Sequence, residues 1–181
     1  MLIGVVSDTH GPLPDAAYYA LYGCDAVVHA GDVCDPTVLR DLRAIPTVRQ
    51  VWAVLGNNDL PGSLGPQVGR YACLQAAGAH LVVAHYPHHV APSHWEAAGL
   101  NPSVAPPAVA IHGHTHVPDV RQLTSPQGPY LLMCPGSLRR PRGGWPCAVG
   151  FIEVRAGVAS SARIETLQGE VLLTWLNPNR R

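Results

Sequence analysis

Lysine is missing from this 181-residue chain: all twelve basic residues are arginine, a compositional bias without functional meaning. Charge is scarce altogether. Only 13% of residues are charged, twelve acidic against twelve basic, and no basic run exceeds "LRRPR" at 138–142. That excludes the broad basic face needed to grip duplex nucleic acid. No apolar run approaches the ~20 residues of a membrane span. The opening "MLIGVV" is too short for a signal peptide and has no basic lead-in. The five cysteines are odd in number and form no Cys-x-x-Cys pair, so neither a disulfide framework nor a zinc ribbon is expected. These absences point to the cytoplasm. Internal repeats, linkers and low-complexity stretches are lacking too, and a single domain over residues 1–181 is expected.

What is present is apolar. Hydrophobic residues make up 47% of the chain, enough for a substantial core. The first 60 residues repeat one theme: an apolar run, a polar break, a helical stretch. "LIGVV" leads to "SDTHG" and a helix over 15–22. "DAVVHA" leads to "GDVCDP" and a helix over 37–44, and "VRQVWAVL" leads to "GNND". Buried strands alternating with helices predict βαβ units and a parallel sheet, whose ligands bind beyond the carboxyl ends of the strands. Further on, 70–86 reads as two strands around "AAGA", and 93–100 as a short helix with Ser93 as its N-cap. A strand ends at "GHTH", a hairpin turns at "SPQG", and period-two strands close the chain. An α/β sandwich with a second, more antiparallel sheet fits this order.

The residues that close these runs carry the chemistry: Asp8 and His10, Asp32, Asn57, His85, then His114 and His116. Carboxylates and neutral imidazoles together suit manganese, iron, zinc, nickel or cobalt. Seven such groups exceed the four that one tetrahedral ion takes, and suit two ions sharing a carboxylate. Two metals can clamp a phosphoryl group during in-line displacement. Four positive charges less two aspartates would leave a cationic focus on a neutral protein.

The ordered series "SDTH", "HAGD", "GNND", "AHY", "GHTH" and "PGS" resembles the calcineurin-like metallophosphoesterase superfamily, in its small bacterial and archaeal phosphodiesterase branch. The resemblance implies a four-layer α/β/β/α sandwich of two mixed sheets flanked by helices. It implies one ion on Asp8, His10, Asp32 and His116, and another on Asp32, Asn57, His85 and His114, with manganese expected first. A bridging hydroxide would attack phosphorus in a phosphoester small molecule or nucleotide. Phosphodiesters are the leading substrate class, with monoesters or nucleotides as the alternative, and homo-oligomers are possible. Some relatives, notably a retromer subunit, act instead as interaction scaffolds with an impaired site.

Three positions depart from the family pattern. Asn58 stands where many members have a histidine that protonates the leaving group, so good leaving groups should be favoured. Tyr86 and Pro87 replace a glycine turn after His85, which leaves His88 as a substitute ligand. Cys134 replaces an asparagine before "PGS". Beyond the ligands, Arg142 and His112 are the candidates for substrate contact. His29 and His80 read as core or ligand-supporting histidines, and Asp59 as either a ligand-orienting group or a turn cap. His88, His89 and His94 read as loop residues, and Gly31, Gly56 and Gly113 as turn formers before the ligands.

Overall fold

A computed structural model describes residues 1–101, 103 and 105–179. The opening strands form as their composition dictates. β1 (Leu2–Val6) and β2 (Ala26–His29) pair in parallel, and β2 pairs in parallel with β3 (Gln50–Ala53). α1 (Asp15–Ala20) and α2 (Thr37–Arg43) make the crossovers. Gly4 lets α1 lie close against β1, because a Cβ there would meet Leu21 Cδ2 at 2.3 Å. α1 ends before the expected residue 22, with Leu21 as its C-cap.

β4 (Tyr71–Ala76) and β5 (Ala79–Ala84) form the hairpin expected around "AAGA". With β6 (Val109–Ile111), β7 (Asp119–Ser125) and β8 (Gly128–Cys134) they build a second sheet in the order β4-β5-β6-β8-β7. The closing strands β9 (Ala148–Arg155), β10 (Val158–Thr166) and β11 (Val171–Leu176) return to the first sheet, whose order is β11-β10-β9-β1-β2-β3. Both sheets are mixed, as the resemblance implies. The expectation of a more antiparallel second sheet is corrected: the long antiparallel run belongs to the first sheet, because β9 pairs antiparallel with β1.

Three apolar layers hold the sandwich. Ile3, Val5, Leu81, Val83, Ile111, Met133 and Ile152 pack between the sheets. The outer face of the first sheet presents Val6, Val27 and Phe151 to Leu21, Leu39 and Leu42. On the outer face of the second sheet, Val82, Ala84, Ala110 and Leu132 pack under Val90, Trp95 and Leu100. Removing the fully buried Trp95 side chain would cost about 3–5 kcal/mol.

The cover over that last face differs from expectation. Two 3-10 turns, Pro87–Val90 and Pro92–His94, form part of it, and the end of the second, followed by turns over 95–99, stands where a helix over 93–100 with a Ser93 cap was expected. Pro92 opens the second turn, and Ser93 Oγ instead lies 3.1 Å from its neighbour's His94 Nδ1. Among the described residues no helix is long and apolar enough to cross a membrane.

Candidate metal centre

The polar loops after β1, β2, β3, β5 and β6 meet at one rim, as expected for the carboxyl ends of parallel strands. Asp8 is fully buried. Its Oδ2 accepts bonds from Ser7 Oγ at 2.6 Å and from the His114 N–H at 3.1 Å. Its Oδ1 has no hydrogen-bond partner among the described residues. Around that orphaned oxygen lie three imidazole nitrogens: Nε2 of His116 at 3.0 Å, His10 at 3.8 Å and His85 at 4.0 Å. A buried carboxylate oxygen left unpaired is costly. Lone pairs from several groups converging on one space are what a cation would satisfy.

The rings are oriented for this. His85 Nδ1–H donates to the Ala30 carbonyl at 2.8 Å, and His116 Nδ1–H to the Arg140 carbonyl at 2.5 Å. Each bond fixes a tautomer whose Nε2 lone pair faces inward. Asp8, His10 and His116 bring one donor atom each to within 4.8 Å of one another, and Asp8, Asp32 and His85 form a second such group. Asn57 Oδ1 completes the second side, 3.2 Å from His85 Nε2 and 3.0 Å from His114 Nδ1. Asp32 Oδ2 stands between the halves, 3.8 Å from His10 Nε2 and 3.5 Å from His85 Nε2. All seven expected ligands therefore share one site, with His114 and His116 on opposite sides of it. His85 takes its place despite the altered turn, and His88 is exposed outside the site.

Backbone strain concentrates on the ligands themselves. Asp8, His10, Asp32, His114 and His116 all have positive φ, between 48° and 66°. The glycines serve differently from expectation. Only Gly31 of the three has positive φ. Gly56 and Gly113 are needed for room: a Cβ would lie 2.0 Å from Asp32 Oδ1 or 1.9 Å from Ser7 Oγ. Strained residues at a site persist only where their surroundings hold them. Asp59 supplies part of that hold, accepting backbone N–H bonds from Gly56, Val33 and Cys34 and so tying two ligand loops together. Of its two expected roles these bonds fit the orienting one, since none goes to the turn that follows it.

Electrostatics follow from burial and pairing. Burial opposes ionisation of Asp32, yet without metal the protonated form of His85 and the bonds from Asn58 outweigh it and hold the carboxyl well below its usual range. Burial also works to lower His85, but the Asp32 carboxylate and the Ala30 carbonyl raise it overall. His10 and His114 are lowered, chiefly by burial. His29, wholly buried, is pushed down to about 4 by burial. Its Nε2 pairs with Thr9 Oγ1 at 2.5 Å, so it braces the loop between Asp8 and His10.

An open cavity of about 360 Å³ adjoins the ligands, lined by His10, Asp32, Asn57, Asn58, His114, His116, Arg140, Pro141 and Arg142. Arg142 reaches it as expected. His112 does not: its buried ring bonds the Gly113 carbonyl and lines a separate groove with His88 and Thr115. Among the arginines of "RRPR", sequence reasoning preferred Arg142 to Arg140, which lines the cavity equally, and it missed the supporting serines. Ser137 Oγ donates to the Asp8 carbonyl at 2.9 Å, and the only signal for it was the "PGS" motif. Cys134 lies beneath the same loop, its thiol pushed up to about 11 by burial.

The model of the calcineurin-like phosphoesterase superfamily domain matches residues 1–157. The chain belongs to this family. It is 31% identical over 147 residues to a probable metallophosphoesterase of Methanothermobacter thermautotrophicus, covering 78% of this chain and 80% of that one. The E. coli phosphoesterase YfcE shares the fold, with a TM-score of 0.68 at 22% identity over 97% of this chain and 99% of that one. So does Vps29 from Entamoeba histolytica in complex with zinc, with a TM-score of 0.68 at 19% identity over 97% and 99%. This calcineurin-like chain is thus a metallophosphoesterase homologue with candidate ligands for divalent metal.

Proposed function

We propose that the protein is a metal-dependent phosphodiesterase with a dinuclear centre on Asp8, His10, Asp32, Asn57, His85, His114 and His116. The single observation behind this reading is the unpaired Asp8 Oδ1 among three inward-facing imidazoles. Held there, two divalent ions, manganese foremost, would supply Lewis acidity and an activated water for in-line attack on phosphorus.

The chain's own residues do the rest. Asp32 stands where a carboxylate can serve both halves of the centre. His85 and His116, locked by carbonyl acceptors, keep their lone pairs directed at it. Arg140 and Arg142 line the cavity beside it and supply donors for the non-bridging oxygens of an anionic ester. Asn58 lines the same cavity and cannot release a proton, so the departing alcohol must be acidic enough to leave unaided.

The test is hydrolysis of bis-p-nitrophenyl phosphate with added Mn²⁺, for the wild type and for Asp32→Asn. Metal-dependent turnover that falls at least ~100-fold in the variant supports the reading. Turnover that is absent from metal-loaded wild type, or equal in both proteins, refutes it. Absence combined with tight capture of a protein partner would favour the scaffold role, for which the fold likeness to Vps29 is the supporting observation.

A further inference from the structure

Outside the centre, the two 3-10 turns bring three more histidines together. The ring centroids of His88 and His89 lie 4.2 Å apart, those of His89 and His94 5.4 Å, and those of His88 and His94 6.2 Å. We propose that His88, His89 and His94 form a separate mononuclear site for a divalent ion that prefers imidazole, of the zinc, nickel or copper class.

The distances fit. With metal–nitrogen bonds of about 2.0–2.1 Å, ligating rings have centroids about 4.5 Å apart at right angles and about 5.2 Å apart at tetrahedral angles. Two of the three separations bracket these values, and the third has to close by about one ångström, so binding requires the exposed His88 to change rotamer.

The backbone that carries the rings is built to hold them. Pro87 and Pro92 open the two turns. The His89 N–H donates to the Tyr86 carbonyl at 3.0 Å, the Ala91 N–H to His88 at 3.3 Å and the His94 N–H to Ala91 at 2.9 Å. Behind them, the buried Val90 and Trp95 anchor the segment to the second sheet. His94 Nδ1–H can donate to Ser93 Oγ, which leaves its Nε2 lone pair outward, as a ligand requires. His89 stays neutral because burial and the neighbouring imidazoles disfavour its charged form.

The donor set differs in kind from that of the dinuclear centre. The trio contains no carboxylate, so a hard ion such as Mn²⁺ or Mg²⁺ gains little there. The two sites are also distinct in space. The Tyr86 ring stands between them, its centroid 4.4 Å from that of His114, 5.5 Å from His88 and 5.3 Å from His89. An ion on the trio would cross-link the two turns that cover the second sheet.

The experiment counts ions bound to the full, tag-free chain after metal stripping and equilibrium dialysis against Zn²⁺, Ni²⁺ or Mn²⁺. The expected result is one more Zn²⁺ or Ni²⁺ than Mn²⁺ per chain. His89→Ala/His94→Ala should lose that extra ion and keep its Mn²⁺-dependent diester hydrolysis. Asp8→Asn/Asp32→Asn should retain one Zn²⁺, so failure of the dinuclear reading would not disturb this count. Circular dichroism verifies folding, and His88→Gln/His94→Gln replaces the first variant if it unfolds. Equal Zn²⁺ counts in wild type and folded trio variant would overturn the proposal, as would no Zn²⁺ on Asp8→Asn/Asp32→Asn.

Discussion

Asn58 grips Asp32 twice: its backbone N–H donates to Oδ1 at 2.8 Å and its side-chain Nδ2 to Oδ2 at 2.6 Å. The amide that stands in place of a proton donor therefore orients the central carboxylate. Turnover should rise steeply as the leaving group becomes more acidic, with aryl diesters far ahead of alkyl monoesters. Asn58→His should raise the alkyl-to-aryl activity ratio by about 10-fold or more, even if the lost grip on Asp32 lowers both rates. An unchanged ratio would show that the missing acid is irrelevant.

Gly113→Ala tests the close approach beneath the ligand loop. The added Cβ would lie 1.9 Å from Ser7 Oγ and 2.8 Å from Asp8 Oδ2, both in a fully packed region. Overpacking of this kind costs about 1–3 kcal/mol, and displacing Asp8 should also weaken metal binding. A urea midpoint and a metal count on the same sample would show both losses. Wild-type values in both would mean the loop yields freely.

Metal should stabilise the fold as well as activate it, since it relieves the unpaired Asp8 Oδ1. At a free-ion concentration ~100 times Kd the gain is about 2.7 kcal/mol. Chelation of Mn²⁺-loaded protein should lower Tm accordingly. In Asp8→Asn the difference between loaded and chelated samples should nearly vanish, and a full-sized difference there would contradict the ligand role of Asp8.

Acid should destabilise the metal-free protein through His29. Its folded value is about 4 against 6.5 when unfolded. Between those values the unfolded chain binds more protons, so stability is complete above 6.5 and is lost as pH falls towards 4. The loss amounts to roughly 3 kcal/mol. His10, His112 and His114 shift in the same direction. His85 shifts upward, and its opposite contribution is lost as pH rises. His29→Gln should flatten the dependence of the urea midpoint on pH between about 7 and 5. An undiminished slope would place the acid sensitivity elsewhere.

Arg140 and Arg142 should act mainly on binding. Both are exposed at the cavity mouth, so each contact with phosphate is screened. Arg142→Ala is expected to raise KM about three- to tenfold with a smaller change in kcat. A kcat effect larger than the KM effect would move Arg142 into the chemical step.

Most of the candidate cluster was legible before the fold was known. Asp8, Asp32 and His116 each follow an apolar run that could only be a buried strand, and polar residues at such ends face a common rim. His85 was harder, because Tyr86 and Pro87 change the turn. The bond from its ring to the Ala30 carbonyl, which turns Nε2 towards the candidate cluster, supports it. Arg140 ranked behind Arg142 because its contact with His116 is made by its backbone carbonyl, which leaves no mark in the side chain. Ser93 misled because a serine before an apolar stretch signals a helix cap, whereas Pro92 commits the backbone to a tighter turn.

The sequence alone determined which residues are strands, which loops carry donors and which ions those donors suit, because apolar periodicity and ligand chemistry are local properties. Only the tertiary structure decided that β9 returns to β1, that five candidate ligands take left-handed backbone, and that three loop histidines cluster with their rings edge-on or tilted. Each of these depends on pairing between segments far apart in the chain or on how neighbouring turns are backed by the core. Local composition is the same whichever partner wins.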